Sequence, residues 1–147
     1  MADGRTHDVH GIIAALLLAV GVGICHWQGA GIDVCGLPAG VVIGTLLLSP
    51  DLDMWNTGPI KRWGPLKYFW APYAWAHSHR GLSHSWLLGP LVRLLYLGIP
   101  VALIWWHWDF EGAGPWIGYT TCGIILGSWI HLVGDRRWPR LGGKKEA

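Results

Sequence analysis

The stretch "VHGIIAALLLAVGVGICHW", residues 9–27, contains no Asp, Glu, Lys or Arg. It approaches the ~20 apolar residues that a helix needs to cross about 30 Å of hydrocarbon. Three further stretches are similarly apolar, at residues 32–49, 86–106 and 116–133, with Asp33 and Arg93 as the charged residues they contain. The chain of 147 residues is 52% apolar and 14% charged, against roughly 25% charged in soluble domains. These features predict a single all-α integral membrane domain over residues 1–147, a four-transmembrane-helix bundle. A buried helix hairpin in a soluble α-protein is the alternative, but few polar faces remain to cover four such helices. The opening "MADGRTHDVHG" is mixed in charge, and no clear small-residue cleavage site comes after it, so the first stretch reads as a helix rather than a secretory leader.

Lys and Arg set the expected orientation. Arg5, Lys61, Arg62, Lys67, Arg80, Arg136, Arg137, Arg140, Lys144 and Lys145 fall on one side of a four-span topology, and the opposite loops hold none. The basic side, with both termini, is therefore expected in the cytoplasm, and the protein in the cytoplasmic (inner) membrane. Arg93 lies about two turns inside the third span, where it either snorkels to the basic side or pairs with a buried carboxylate; snorkelling is the expected role. The net charge of +2 is explained by this orientation, and nothing points to nucleic-acid binding.

Eleven of the 12 tryptophans gather at span ends, as aromatic belts do. Between spans two and three, residues 50–85 contain "MWNTGPIKRWGPLKYFWAPYAWAH", interrupted by Pro59, Pro65 and Pro72. One continuous helix is excluded there. The segment is expected as short interfacial pieces, with rings in the headgroups and cations against anionic lipid. Cys25, Cys35 and Cys122 form no CxxC pair and read as apolar filler, a Cys25–Cys35 disulfide being the alternative.

The polar residues at the span ends carry the functional signal. His7 and His10 open span one, Asp51 and Asp53 close span two in "SPDLD", His79 and His84 precede span three in "SHRGLSHSW", and His131 and Asp135 close span four in "HLVGD". In a four-span topology all these positions share one membrane face. Ionisable groups at that depth are costly and usually paired, and His with Asp is a ligand set for zinc, manganese or iron. His131 and Asp135, four apart, share a helix face. Ser83 or Ser85 is suited to cap the third span. The duller reading makes each histidine an interfacial hydrogen-bonder and each aspartate a solvated helix end; the joint occurrence favours a metal.

In order, "GRTHD", "SPDLD" with "KRWGPLKYFWAPY", "HRGLSHS" and "HLVGD" resemble an uncharacterised family of metal-binding membrane proteins. They are similar, more distantly, to membrane-bound metal-dependent hydrolases. The resemblance implies metal-ligand roles for His7, Asp51, Asp53, His79, His84, His131 and Asp135; His10 has no counterpart. It implies one or two divalent transition-metal ions, zinc first, manganese or iron otherwise.

For an enzyme, the expected activity is hydrolysis of a phosphoester or lipid-borne ester at the cytoplasmic face, on a phospholipid or lipid-linked substrate. Arg80 and Asp53 are the candidate catalytic residues, Arg80 neutralising developing phosphoryl charge. The competing expectation is a small non-catalytic accessory subunit of a larger membrane complex, its glycine-rich helices packing closely against neighbours. Haem or chlorin ligation by His84 or His131 is a third, weaker possibility.

Overall fold

The computed structural model of the chain describes residues 4–29, 32–76, 82–108 and 113–135. Every regular element among them is helical, as the sequence implies. The chain runs through α1 (Gly4–Trp27), α2 (Gly36–Leu46), α3 (Gly58–Arg62), α4 (Ala71–Ala76), α5 (Leu88–Trp108) and α6 (Gly114–Asp135). Short 3-10 turns at Ile32–Cys35, Pro50–Asp53, Gly64–Trp70 and Leu82–His84 join them. Helix α1 carries an unbroken Ala/Leu/Ile/Val run over residues 12–20; just past its end, Gly29 takes φ +96°, a left-handed conformation that stops helices and suits glycine.

Two helices are long and apolar enough to cross a membrane, Thr6–Trp27 and Gly114–Asp135. One of the other two expected spans is shorter: residues 32–49 form a 3-10 turn and an α2 of only 11 residues, about 16 Å of helix. Helix α5 runs 21 residues, with an apolar stretch at Leu88–Ile104 among the described residues. An all-helical chain with two qualifying helices is therefore what the described residues contain.

Helices α2 and α6 make the most extensive contact in the molecule. Glycine spacing is the reason. Gly36, Gly40 and Gly44 recur every fourth residue along α2 and face Thr120 and Ile124, while Gly123 of α6 sits against the Leu37 carbonyl and the Cα of Gly40. A Cβ at Gly40 or Gly123 would overlap the opposing backbone, so the approach needs glycine. Helix α1 docks alongside with Gly11 against Thr45.

The tightest apolar packing lies in the segment expected to be merely interfacial. Leu48, Leu52, Ile60, Trp70, Tyr73 and Ile124 form one buried cluster. The proline breaks fold this segment into short pieces, as expected, but those pieces turn Leu52, Ile60, Trp70 and Tyr73 inward while Leu66, Tyr68 and Trp75 stay exposed. Trp70 is 0% exposed, so the belt position foreseen for it is replaced by a core position, edge-on to Trp63, Phe69 and Tyr73. Trp27, Trp75 and Trp106 are almost wholly exposed. Three contacts fasten the segment: Tyr96 of α5 donates to the Phe69 carbonyl (2.6 Å), Trp63 Nε1 donates to the Leu47 carbonyl (3.0 Å), and Arg62 pairs with Asp8 of α1.

Candidate metal centre

Where α2 ends, Ser49 caps a single 3-10 turn with Pro50 in its first position. The Thr57 hydroxyl donates to the Asp51 carbonyl at 2.8 Å and helps close the loop that leads into α3. At about three residues per turn, Asp51 and Asp53 point roughly 120° apart. The two carboxylates consequently meet opposite edges of one imidazole: Asp51 Oδ1 lies 3.6 Å from His84 Nε2, and Asp53 Oδ2 lies 3.6 Å from His84 Nδ1. His84 itself ends the Leu82–His84 turn. Ser85, rather than Ser83, supports the start of α5, its hydroxyl accepting from the Gly89 N–H at 2.8 Å.

The last turn of α6 completes the cluster. His131 Nε2 is 3.6 Å from Asp51 Oδ1 and 3.4 Å from Asp135 Oδ2, and His84 Nε2 is 3.6 Å from that same Asp135 oxygen. Four donor atoms therefore alternate His–Asp–His–Asp around a ring with sides of 3.4–3.6 Å. A tetrahedral ion with bonds of ~2.1 Å has donor–donor edges of about 3.4 Å, so the ring matches four of the six edges of such a shell. Within it, His131 is buried and its Nε2 makes no hydrogen bond among the described residues. Leaving a buried polar nitrogen unsatisfied is costly, and an ion at the ring centre would satisfy it.

Around the ring sit groups that fix its imidazoles and carboxylates. Ser49 Oγ is 3.3 Å from His131 Nδ1. The Ser83 hydroxyl donates to Asp53 Oδ2 at 2.6 Å and is 3.2 Å from His84 Nδ1. His7 stacks on His131 with ring centroids 4.2 Å apart, and its Nε2 is 3.2 Å from the other Asp135 oxygen. Gly134 leaves the room that the His7 ring occupies. His7, His131 and Asp135 form one potential ligand triad and Asp51, His84 and His131 another, each with donor atoms within 4.8 Å of one another.

The electrostatics are those of a preorganised ligand set. Burial alone would raise the Asp51 pKa, but the His131 and His84 imidazoles beside it outweigh that and hold its carboxyl well below the usual carboxylate range. Burial would likewise lower His84, yet Asp51 and Asp53 outweigh it and push its pKa up to about 9.

Six of the seven ligands expected from sequence, His7, Asp51, Asp53, His84, His131 and Asp135, thus come together. His79 and the candidate catalytic Arg80 lie outside the described residues. His10 is exposed and lines an apolar groove with Trp86, Leu126, Trp129, Ile130 and Val133 instead of joining the ring. Sequence reasoning missed Ser49, Ser128 and Arg93. Arg93 does not snorkel: it is 1% exposed, directed to the Ser83 carbonyl and the Ser128 hydroxyl. The seryl neighbours of "SPD" and "SHS" were the available signal, since short hydroxyls beside ligand positions are suited to orient them.

Residues 2–118 match the profile of a family described as "Uncharacterized metal-binding protein (DUF2227)". His7, Asp51, Asp53 and His84 fall inside that match, whereas His131 and Asp135 lie beyond it. An "Uncharacterized protein" of Aquifex aeolicus (strain VF5) is 49% identical over 59 residues, which is 40% of this chain and 41% of that protein. No solved structure matches the chain.

Proposed function

The chain belongs to the uncharacterized metal-binding protein family, and on that premise we propose that it holds one divalent transition-metal ion between Asp51, His84, His131 and Asp135. Zinc suits an N2O2 tetrahedron best, manganese or iron less well. The observation that carries this reading is the 3.4–3.6 Å ring of donors enclosing the buried His131 Nε2. His7 and Asp53 orient the ring from outside, Asp53 through the far nitrogen of His84. Of the two remaining sequence candidates, Arg80 keeps its expected role as a cation for the substrate, and His79 is not needed to fill the four-donor shell.

The proposed setting is the cytoplasmic face of the inner membrane, with both termini cytoplasmic, α1 and α6 crossing, and residues 32–49 and α5 completing a four-span bundle. Long exposed apolar faces support it: Leu16, Leu17 and Val20 on α1, and Leu95, Ile99 and Leu103 on α5. Patches of that extent rarely face water. Lys67, held over the Trp55 and Tyr68 rings, and the exposed Leu66 and Trp75 suit headgroup depth.

The proposed activity is hydrolysis of a phosphoester or lipid-borne ester. Held by Asp51, His84, His131 and Asp135, a divalent ion would supply Lewis acidity that brings a water's pKa toward ~7. Asp51, His84 and His131 are the more buried donors; Asp135, 37% exposed, faces the approach and is the exchangeable one. Asp135 accepts the proton of the attacking water, the ester P–O bond breaks, and the departing alkoxide takes that proton. A second reading, a structural clamp in a non-catalytic accessory subunit, is favoured by one observation: all four corners of the tetrahedron are protein groups, as in closed structural sites.

Elemental analysis of detergent-purified protein beside His131→Ala tests the centre. One ion per chain, lost in the variant, is the expected result; wild type without stoichiometric metal overturns it. Phosphodiester turnover abolished by Asp135→Asn supports the hydrolase. Metal-replete wild type that turns over no ester and co-purifies in fixed ratio with other subunits supports the clamp.

A further inference from the structure

A guanidinium buried to 1% exposure is among the most expensive groups a small chain can carry. The expense is tolerated where the charge is balanced and its N–H groups are used. Arg93 extends from α5 into the layer behind the donor ring. One terminal nitrogen donates to the Ser83 carbonyl (3.4 Å) and the other to the Ser128 hydroxyl (3.1 Å). Those two contacts belong to the two elements that supply the histidine donors. Ser83 precedes His84 and donates through its own hydroxyl to Asp53; Ser128 stands three residues before His131 on α6 and donates to the Ile124 carbonyl at 3.0 Å. The other charged or titratable groups facing Arg93 are Tyr73 of α4 and the Asp53 and Asp51 carboxylates.

We propose that Arg93 is the positioning residue and buried counter-cation of the metal centre, holding the His84-bearing turn and α6 in the register that sets the donor ring. This inference rests on the metal reading above. Charge arithmetic supports it. Among the described residues, Asp51, Asp53 and Asp135 contribute three negative charges, one divalent ion contributes two positive, and Arg93 contributes the third, so these groups balance with the histidines neutral. A second divalent ion would leave two uncompensated positive charges in a largely buried site. The arginine link therefore carries a stoichiometric consequence: one ion, not two.

Cobalt(II) titration of the full chain in detergent provides both an affinity and a ligand-field spectrum. Wild type is expected to bind one cobalt with the strong visible bands of a four-coordinate N/O site. Arg93→Gln, which removes charge and fork together, is expected to weaken binding by about 10–100-fold and to weaken those bands as the ring opens to a further ligand, with helical content retained. Arg93→Lys restores charge without the fork and falls between the two. Should Arg93→Gln fail to fold, Ser83→Ala and Ser128→Ala test the same links singly, each with a smaller shift in the same direction.

Unchanged affinity and bands in Arg93→Gln overturn the proposal, as does the same indifference in both serine variants. Two cobalt ions per wild-type chain overturn the charge closure. Wild type that takes up no cobalt overturns the metal centre itself and is thereby distinguished from failure of the arginine link.

Discussion

The outer faces of α1 and α5 and the segment from Leu48 to Ala76 differ in a direction opposite to their composition. The two helices are long and apolar, yet Leu17 and Leu103 are each 69% exposed. The proline-broken segment carries Lys, Arg, Asn and Thr, yet Leu52, Ile60 and Trp70 are 0% exposed. Long apolar helices turn side chains in every direction and bury only the stripe that meets a neighbour. Short pieces set at angles can converge many large side chains on one point. Large buried side chains are concentrated in the segment, while the helices leave much of their apolar surface exposed. The largest effect expected from this contrast is at Trp70: Trp70→Ala costs about 3–5 kcal/mol, read as a fall in the unfolding midpoint in detergent. Leu17→Ala, on the exposed face of α1, stays within about 0.5 kcal/mol in the same assay. Equal losses at the two positions would mean that α1 is covered by protein rather than by detergent or lipid.

Glycines sharpen the same comparison within the helices. A Cβ at Gly40 meets the Thr120 carbonyl and the Cα of Gly123, whereas one at Gly21 of α1 meets nothing within 4 Å. Gly40→Val is expected to cost about 1–3 kcal/mol by forcing α2 and α6 apart. Because Ser49 and the Asp51 turn come directly after α2 while His131 rides on α6, it should also loosen metal binding. Gly21→Val should leave both stability and metal content at wild-type level. Metal content unmoved in a destabilised Gly40→Val would show that the donor ring is set by the short turns alone.

Much of the centre was legible in the sequence. His131 and Asp135 were readable because helical spacing places i and i+4 together, and the convergence of His7, Asp51, Asp53 and His84 was readable from topology. Four spans were assumed for that convergence, although only two helices meet the full length and apolarity; it survives because it needs only alternating chain direction, which the short α2 also provides. Arg93 was not legible. Whether a cation inside an apolar stretch snorkels or turns inward depends on which carbonyls and hydroxyls lie within its reach, and those belong to residues 83 and 128, remote in sequence. Trp70 was hidden for a related reason: belt and core tryptophans are identical in composition and differ only in the angle at which Gly64–Trp70 joins its neighbours.

A further expected effect concerns the polar end of the proline-broken segment and has two opposite signs. In metal-free protein, Asp51 and Asp53 raise the His84 pKa to about 9, so the protonated imidazole stabilises the fold. That contribution is complete below the unfolded value near ~6.5 and is lost as pH rises through about 9. A metal ion needs the same Nε2 free of its proton. Affinity for zinc should therefore climb with pH, by up to about tenfold per unit, and level off above about 9, while Asp51, held far below the neutral range, adds no proton competition. Midpoints measured from pH 6 to 10 should consequently fall with pH in chelator-treated protein and fall less, or rise, with saturating zinc. The divergence should vanish in His84→Ala and persist in His26→Ala, whose imidazole closes α1 at the opposite end. Parallel profiles with and without zinc would mean that the ion does not take its nitrogen from His84.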